Sequence, residues 1–88
     1  MDTNVLQIWL NKNIKYINNG VCYGDNNIYY GKYIIPIDSK EILIYRENYG
    51  FSMSLKVFDK VVPILFKITI SDIKLFYFLL TKEHFKDI

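Results

Sequence analysis

The sequence predicts an α+β domain in the order α-β-β-β-β-α: an N-terminal helix, an antiparallel meander of about four strands and a C-terminal helix, with a single layer of sheet packed by helices. Three observations predict it. The hydrophobic period is helical at the start of the chain, shortens to two between Val21 and Ile70, and becomes helical again from Ser71. Short clusters of Gly, Asn, Asp and Ser punctuate the middle segment where a meander needs turns. Finally, 88 residues of 51% hydrophobic composition suffice for one core only, so residues 1–88 are read as a single compact domain.

The first helix is read from "DTNVLQIWLNKNIKYINNG". Leu6, Leu10, Ile14 and Ile17 recur at helical spacing, with Val5 and Trp9 broadening the stripe. Thr3 or Asn4 suits the N-cap, and "NNG" tolerates the left-handed geometry of a helix stop. The clearest strand is "FSMSLKVF", which sets Phe51, Met53, Leu55 and Val57 on one face and Ser52, Ser54 and Lys56 on a wet one. A turn at Asp59 and Lys60 then pairs Val57 with Val62, Leu55 with Ile64 and Met53 with Phe66. Pro63 cannot donate to a ladder, so this last strand is expected to be an edge or to be bulged. The second helix is read from "SDIKLFYFLLTKEHF", capped by Ser71 or Asp72. Its main face carries Ile73, Phe76, Tyr77 and Leu80, while Leu75, Phe78 and Leu79 make it apolar almost all round.

A turn through Asp38, Ser39 and Lys40 sets Ile35 opposite Leu43, Tyr33 opposite Tyr45 and Ile34 opposite Ile44. A turn at "NYG" then aligns Leu43 with Leu55 and Tyr45 with Met53. On that register the core face carries Tyr33, Ile35, Leu43, Tyr45, Met53, Leu55, Ile64 and Phe66. The opposite face is left with Ile34, Ile42 and Ile44, rimmed by Tyr30, Lys32, Arg46, Lys56 and Lys67. Clustered exposed isoleucines inside a polar rim mark a partner-binding surface, and these eight residues are the expected site; the alternative is that one helix crosses to cover them, giving three layers.

The sequence offers no assembled catalytic or cofactor chemistry. His84 is the one histidine and Cys22 the one cysteine, so neither a metal-ligand spacing nor a nucleophile beside its base can be read from the chain. The carboxylates lie mostly at expected turns and caps, and "GKYI" lacks the earlier glycine and the following Ser/Thr of a phosphate loop. No catalytic residue, metal or cofactor is therefore expected. "YYGKYII" has aromatics and a cation on a strand, but glycine precedes lysine and the rings do not alternate as in an RNA-recognition strand.

Net charge is only +2, with the acids and bases interleaved, so charge by itself does not argue for nucleic acid. The longest apolar run, Leu75 to Leu80, is far too short to cross a bilayer, and the first residues show no basic stretch followed by an apolar one. With one cysteine, a reducing cytoplasmic setting without membrane is expected. Ile, Lys, Asn, Tyr and Phe dominate and alanine is absent, a bias toward A/T-rich codons shared by low-GC bacteria, phages and large DNA viruses. The expected function is a small non-enzymatic protein-binding module. It would inhibit a partner by occlusion, as a phage or mobile-element anti-defence protein of the anti-CRISPR kind or an immunity-type protein. The alternatives are a nucleic-acid binder using a basic-rimmed sheet face and a homodimeric interaction protein.

Overall fold

The structure, a computed structural model, describes residues 3–17, 22–24, 27–29, 31–47 and 50–88. Its elements are α1 (Thr3–Asn13), β1 (Lys15–Ile17), β2 (Cys22–Gly24), β3 (Asn27–Tyr29), β4 (Lys32–Ile37), β5 (Lys40–Glu47), β6 (Gly50–Val57), β7 (Lys60–Leu65) and α2 (Ile70–Thr81). Five antiparallel strands form one sheet in the order β1-β4-β5-β6-β7, and β2 pairs with β3 in a separate ribbon. The α+β class and the flanking helices are as expected; the sheet has one strand more.

The extra strand comes from the end of the expected first helix. That helix stops at Asn13, whose side-chain amide donates to the Trp9 carbonyl at 2.9 Å and so satisfies one of the orphan acceptors of the last turn. Lys15–Ile17 then pairs with β4, Tyr16 lying across from Tyr33 with ring centroids 4.8 Å apart. Pairing satisfies backbone groups along the β4 edge that a longer helix would leave open. Gly31 makes the approach feasible: a Cβ there would lie 2.1 Å from the Tyr16 hydroxyl.

The register of the meander decides which residues are core. Asp38 and Ser39 form a two-residue turn, so Ile37 pairs with Lys40, Ile35 with Ile42 and Tyr33 with Ile44. The three-residue turn expected from the sequence is corrected by one position, and a one-residue slip moves every side chain of β5 to the other face. The left-handed backbone of Asp38 (φ 51°) accommodates the tighter turn, a conformation that Asp tolerates better than most residues. Glu47 pairs with Gly50, whose φ of 139° favours glycine, and the β5–β6 register follows as Ile42 with Leu55 and Ile44 with Met53. Two residues of the expected "NYG" turn, 48 and 49, lie outside the described residues.

One face of the sheet thus presents Tyr33, Ile35, Ile37, Ile42, Ile44, Phe51 and Met53 to Leu6 and Leu10 of α1, to Ile14 and Ile68, and to Ile73 of α2. Ile42 and Ile44, expected on an exposed surface, are 0% exposed in this core. Leu43 alternates with them and points to the other face, where it too is fully buried. Ser52 and Ser54, expected to face water, are buried on that same side of β6. β3 lies against β5, and small serines beside Leu43 suit the close approach of a second layer.

The helices are tied down by local chemistry and by the C-terminal tail. Thr69, not Ser71 or Asp72, is the N-cap of α2. The Asp72 amide donates to its hydroxyl at 3.2 Å, and the Asp72 carboxylate accepts from the Thr69 amide at 2.8 Å, a reciprocal capping box. Lys82 closes the helix in a left-handed conformation, its amide donating to the Phe78 carbonyl at 2.7 Å. The chain then folds back so that Phe85 packs on Trp9 and Tyr77, at 5.5 Å and 5.2 Å between centroids. Asp87 accepts from the Trp9 indole at 3.0 Å and from the Lys74 ammonium at 2.9 Å. The tail therefore clasps α1 to α2.

The register predicts opposite outcomes for the same substitution on neighbouring strands. Ile44→Asp should abolish the cooperative thermal transition, because an unpaired charge in this core costs several kcal/mol against a total stability of roughly 5–10 kcal/mol. Val62→Asp, on the exposed β7, should change stability by less than about 1 kcal/mol. Differential scanning calorimetry of the two variants checks this contrast. Acid should release the clasp. The indole hydrogen bond, and then the Lys74 ammonium, hold the Asp87 carboxyl down at about 2 from the usual 3.8. Its contribution to folding is full above about pH 4 and disappears as the pH falls through about 2. A change in Trp9 fluorescence in that window, abolished by Asp87→Asn, is the expected observation.

Candidate protein-binding surface

Of the eight residues expected to form a surface, the seven described do not share one exposed face. Ile42 and Ile44 are core, whereas Ile34 points to the other face and is half-buried opposite Leu43. Tyr30 lies outside the described residues. Lys32 and Lys56 share the second face but stand at opposite ends of it, Lys32 across from Tyr45 and Lys56 across from Glu41, with an ammonium–carboxylate distance of 4.0 Å to the latter. Arg46 alternates with Ile42 and Ile44 and so belongs to the core-face side, at its margin. There its guanidinium donates to Gln7 at 2.5 Å and lies 6.0 Å from the Phe51 ring centroid. Lys67 is exposed beyond the end of β7 with a left-handed backbone (φ 54°). Lys32, Arg46 and Lys67 thus lie toward one end of the sheet, Lys32 and Arg46 on opposite faces, while Lys56 stands at the other end beside Glu41.

Arg46 instead belongs to a small cleft between α1 and the sheet, walled by Gln7, Asn11, Tyr16, Gly31 and Tyr33. The Tyr33 hydroxyl accepts from the Gln7 amide and donates to the Asn11 carbonyl oxygen, each at 2.5 Å. Burial pushes the Tyr33 phenol up from its ordinary value, although the Gln7 hydrogen bond pulls the other way. This polar chain joins the helix to the sheet and satisfies the one hydroxyl that the core contains at that point.

An uncovered apolar strand lies at the edge of the sheet opposite β1. β7 is the terminal strand of the sheet, and all six of its residues are exposed. Its pairing explains this. Leu55 pairs with Val62 and Met53 with Leu65, so Val62 and Leu65 extend the core face, but beyond the reach of the two helices. Val61 pairs with Lys56 and faces the other way, equally uncovered. The turn into β7 is Phe58–Asp59 rather than the expected Asp59–Lys60, which moves each pairing by two residues, Leu55 meeting Val62 instead of Ile64, and so keeps Val62 on the same face. The ladder then slips again between Met53 and Ser54, opposite Pro63 and Leu65. The strand is both an edge and irregular at Pro63, the two roles open to a proline in a sheet.

Phe58 stands out at the start of this strand. It is 80% exposed and holds a left-handed backbone (φ 56°). A bulky side chain in that region costs about 1–2 kcal/mol relative to the normal conformation, a penalty that Gly or Asn would largely avoid. An aromatic ring held in water on a strained turn contributes little to folding. With Phe66, 61% exposed, it brackets an apolar row of Val61, Val62, Ile64 and Leu65. On α2, Leu75 and Leu79 are also exposed.

His84, singled out in the sequence, stacks on Phe78 with centroids 4.8 Å apart. Among the described residues, no three His, Cys, Asp or Glu side chains are close enough to share a metal ion, and no helix is long and apolar enough to cross a membrane. No protein-family model, curated protein or solved structure matches the chain.

The sequence signal for this surface was Pro63, whose missing N–H predicts an edge or a bulge; the exposure of β7 depended on where the helices end. Phe58→Asn should raise stability by about 1 kcal/mol by relieving the left-handed strain. That corresponds to a melting temperature higher by roughly 5 °C for a domain of this size. A thermal melt followed by circular dichroism checks it.

Proposed function

We propose that this chain is a small non-enzymatic protein-binding module that acts by occlusion, docking on its partner through Phe58 and the exposed strand β7. The observation that supports this reading most directly is Phe58 itself: an exposed aromatic kept on a left-handed turn at the head of an uncovered apolar strand. A residue that destabilises the free protein and presents a large apolar ring to water is suited to filling a pocket on a partner, where aromatic anchors concentrate binding energy. The apolar row with lysines near its ends has the anatomy of an interface core and rim. Small size and an A/T-biased composition support the finer reading of an inhibitor encoded by a phage or mobile element and working in the host cytoplasm.

Occlusion requires a tight, stoichiometric complex. Affinity purification of the tagged chain from host lysate should recover one dominant protein at a fixed ratio. Phe58→Ala should reduce recovery at least tenfold, since truncating an interface anchor costs about 2 kcal/mol or more. Leu75→Lys on α2 should leave recovery unchanged. Equal recovery with Phe58→Ala and the parent chain would count against the proposed surface. Recovery dominated by nucleic acid, and lost steeply between low and physiological salt, would favour phosphate binding instead.

A further inference from the structure

Resting on this reading, we propose that β7 binds its partner by strand addition, taking an extended segment that carries alternating apolar residues and has carboxylates at its ends. Among the described residues β7 has one neighbouring strand, β6, so its outer side offers backbone donors and acceptors along Lys60–Leu65 for an added strand. Both faces of the strand are exposed, so side chains of an added strand would find apolar neighbours above and below: Val62 and Leu65 on one side, Val61 on the other. Main-chain pairing supplies affinity in such complexes, and alternate side-chain contacts supply selectivity.

Charge and the proline choose the occupant. Lys60 opens the strand and Lys67 follows it, both exposed, so a segment with acidic ends is complementary. A second copy of this chain is a poorer match. Pairing two β7 strands antiparallel brings the Pro63 of each copy, which has no N–H, into the middle of the ladder. It also adds the lysine ends of one strand to those of the other, and edge lysines and prolines are the features by which natural sheets resist self-pairing.

The test uses the full chain as bait for a phage-displayed library of random decapeptides, followed by titration calorimetry with synthetic peptides from the enriched set. Enriched peptides should alternate β-branched or aromatic residues and carry Asp or Glu near their ends. In antiparallel pairing, alternate residues direct their N–H groups at the neighbouring strand. N-methylation of alternate amides in one parity should therefore weaken binding at least tenfold, while the other parity should be tolerated. Lys60→Glu should weaken binding about two- to fivefold, restored when the peptide's acidic end is changed to Lys.

Equal sensitivity of the two N-methyl parities would overturn strand addition, as would enrichment of peptides lost only with Leu75→Lys, and so would failure to enrich any peptide. In those cases a protein captured from lysate through Phe58 would still support the broader reading. Light scattering that shows a dimer broken by Ile64→Pro would make a second copy the occupant and overturn the proposal.

Discussion

The pairing of β4, β5 and β6, spaced by a two-residue turn at Asp38–Ser39 and the direct pairing of Glu47 with Gly50, is the constraint on which the rest of the molecule depends. It sets Tyr33, Ile35, Ile37, Ile42, Ile44, Phe51 and Met53 on one face. That contiguous apolar surface is what α1 and α2 pack against. Side-chain period two leaves no intermediate arrangement: the neighbouring register would turn Leu43, Tyr45 and Glu47 toward the helices and Ile42 and Ile44 to the opposite side. Burying an isoleucine is worth about 1.5–3 kcal/mol, and the observed register buries Ile42 and Ile44 on the face beneath the helices and Leu43 on the other.

With the core face fixed, the helices have limited freedom. α1 is joined to the sheet by Leu6 and Leu10 in the core and by the hydrogen bonds from Gln7 to Tyr33 and from Tyr33 to Asn11. α2 starts where the capping box of Thr69 and Asp72 permits, and inserts Ile73 into the core. The tail completes the arrangement through Phe85 and Asp87, which bridge Trp9 to Tyr77 and Lys74. These contacts hold the helices over β4, β5 and β6, and the cover ends before β7.

What is left over is the property with functional consequence. A fifth strand outside the helical cover exposes apolar side chains on both faces together with an open backbone edge. Sheet proteins ordinarily blunt such edges, and here Pro63, Lys60 and the ladder irregularity opposite Met53 and Ser54 do so in part. The combination discourages self-pairing while leaving the strand accessible. Phe58 adds a strained aromatic at the turn leading into it.

The sequence by itself determined the class, the two helices, the alternation of β6 and the edge character of the strand containing Pro63, because each rests on a local period or a local steric rule. Phe51 and Met53 are core and Leu55 packs against it, as their spacing requires. The faces of β5 were decided only by tertiary structure. Two- and three-residue turns at Asp38–Lys40 are both compatible with the local residues, and the choice between them was set by burying Ile42 and Ile44 together with Leu6, Leu10 and Ile73. For the same reason Lys15–Ile17 became a strand: its residues fit helical spacing, but the open edge of β4 supplied partners that no local pattern reveals. The expected surface depended on that register, and with it Ile42 and Ile44 passed to the core face while Ile34 stayed on the other. Exposure of β7 followed from where the helices and tail finish packing, a distance set by the whole fold and not by any short stretch of sequence.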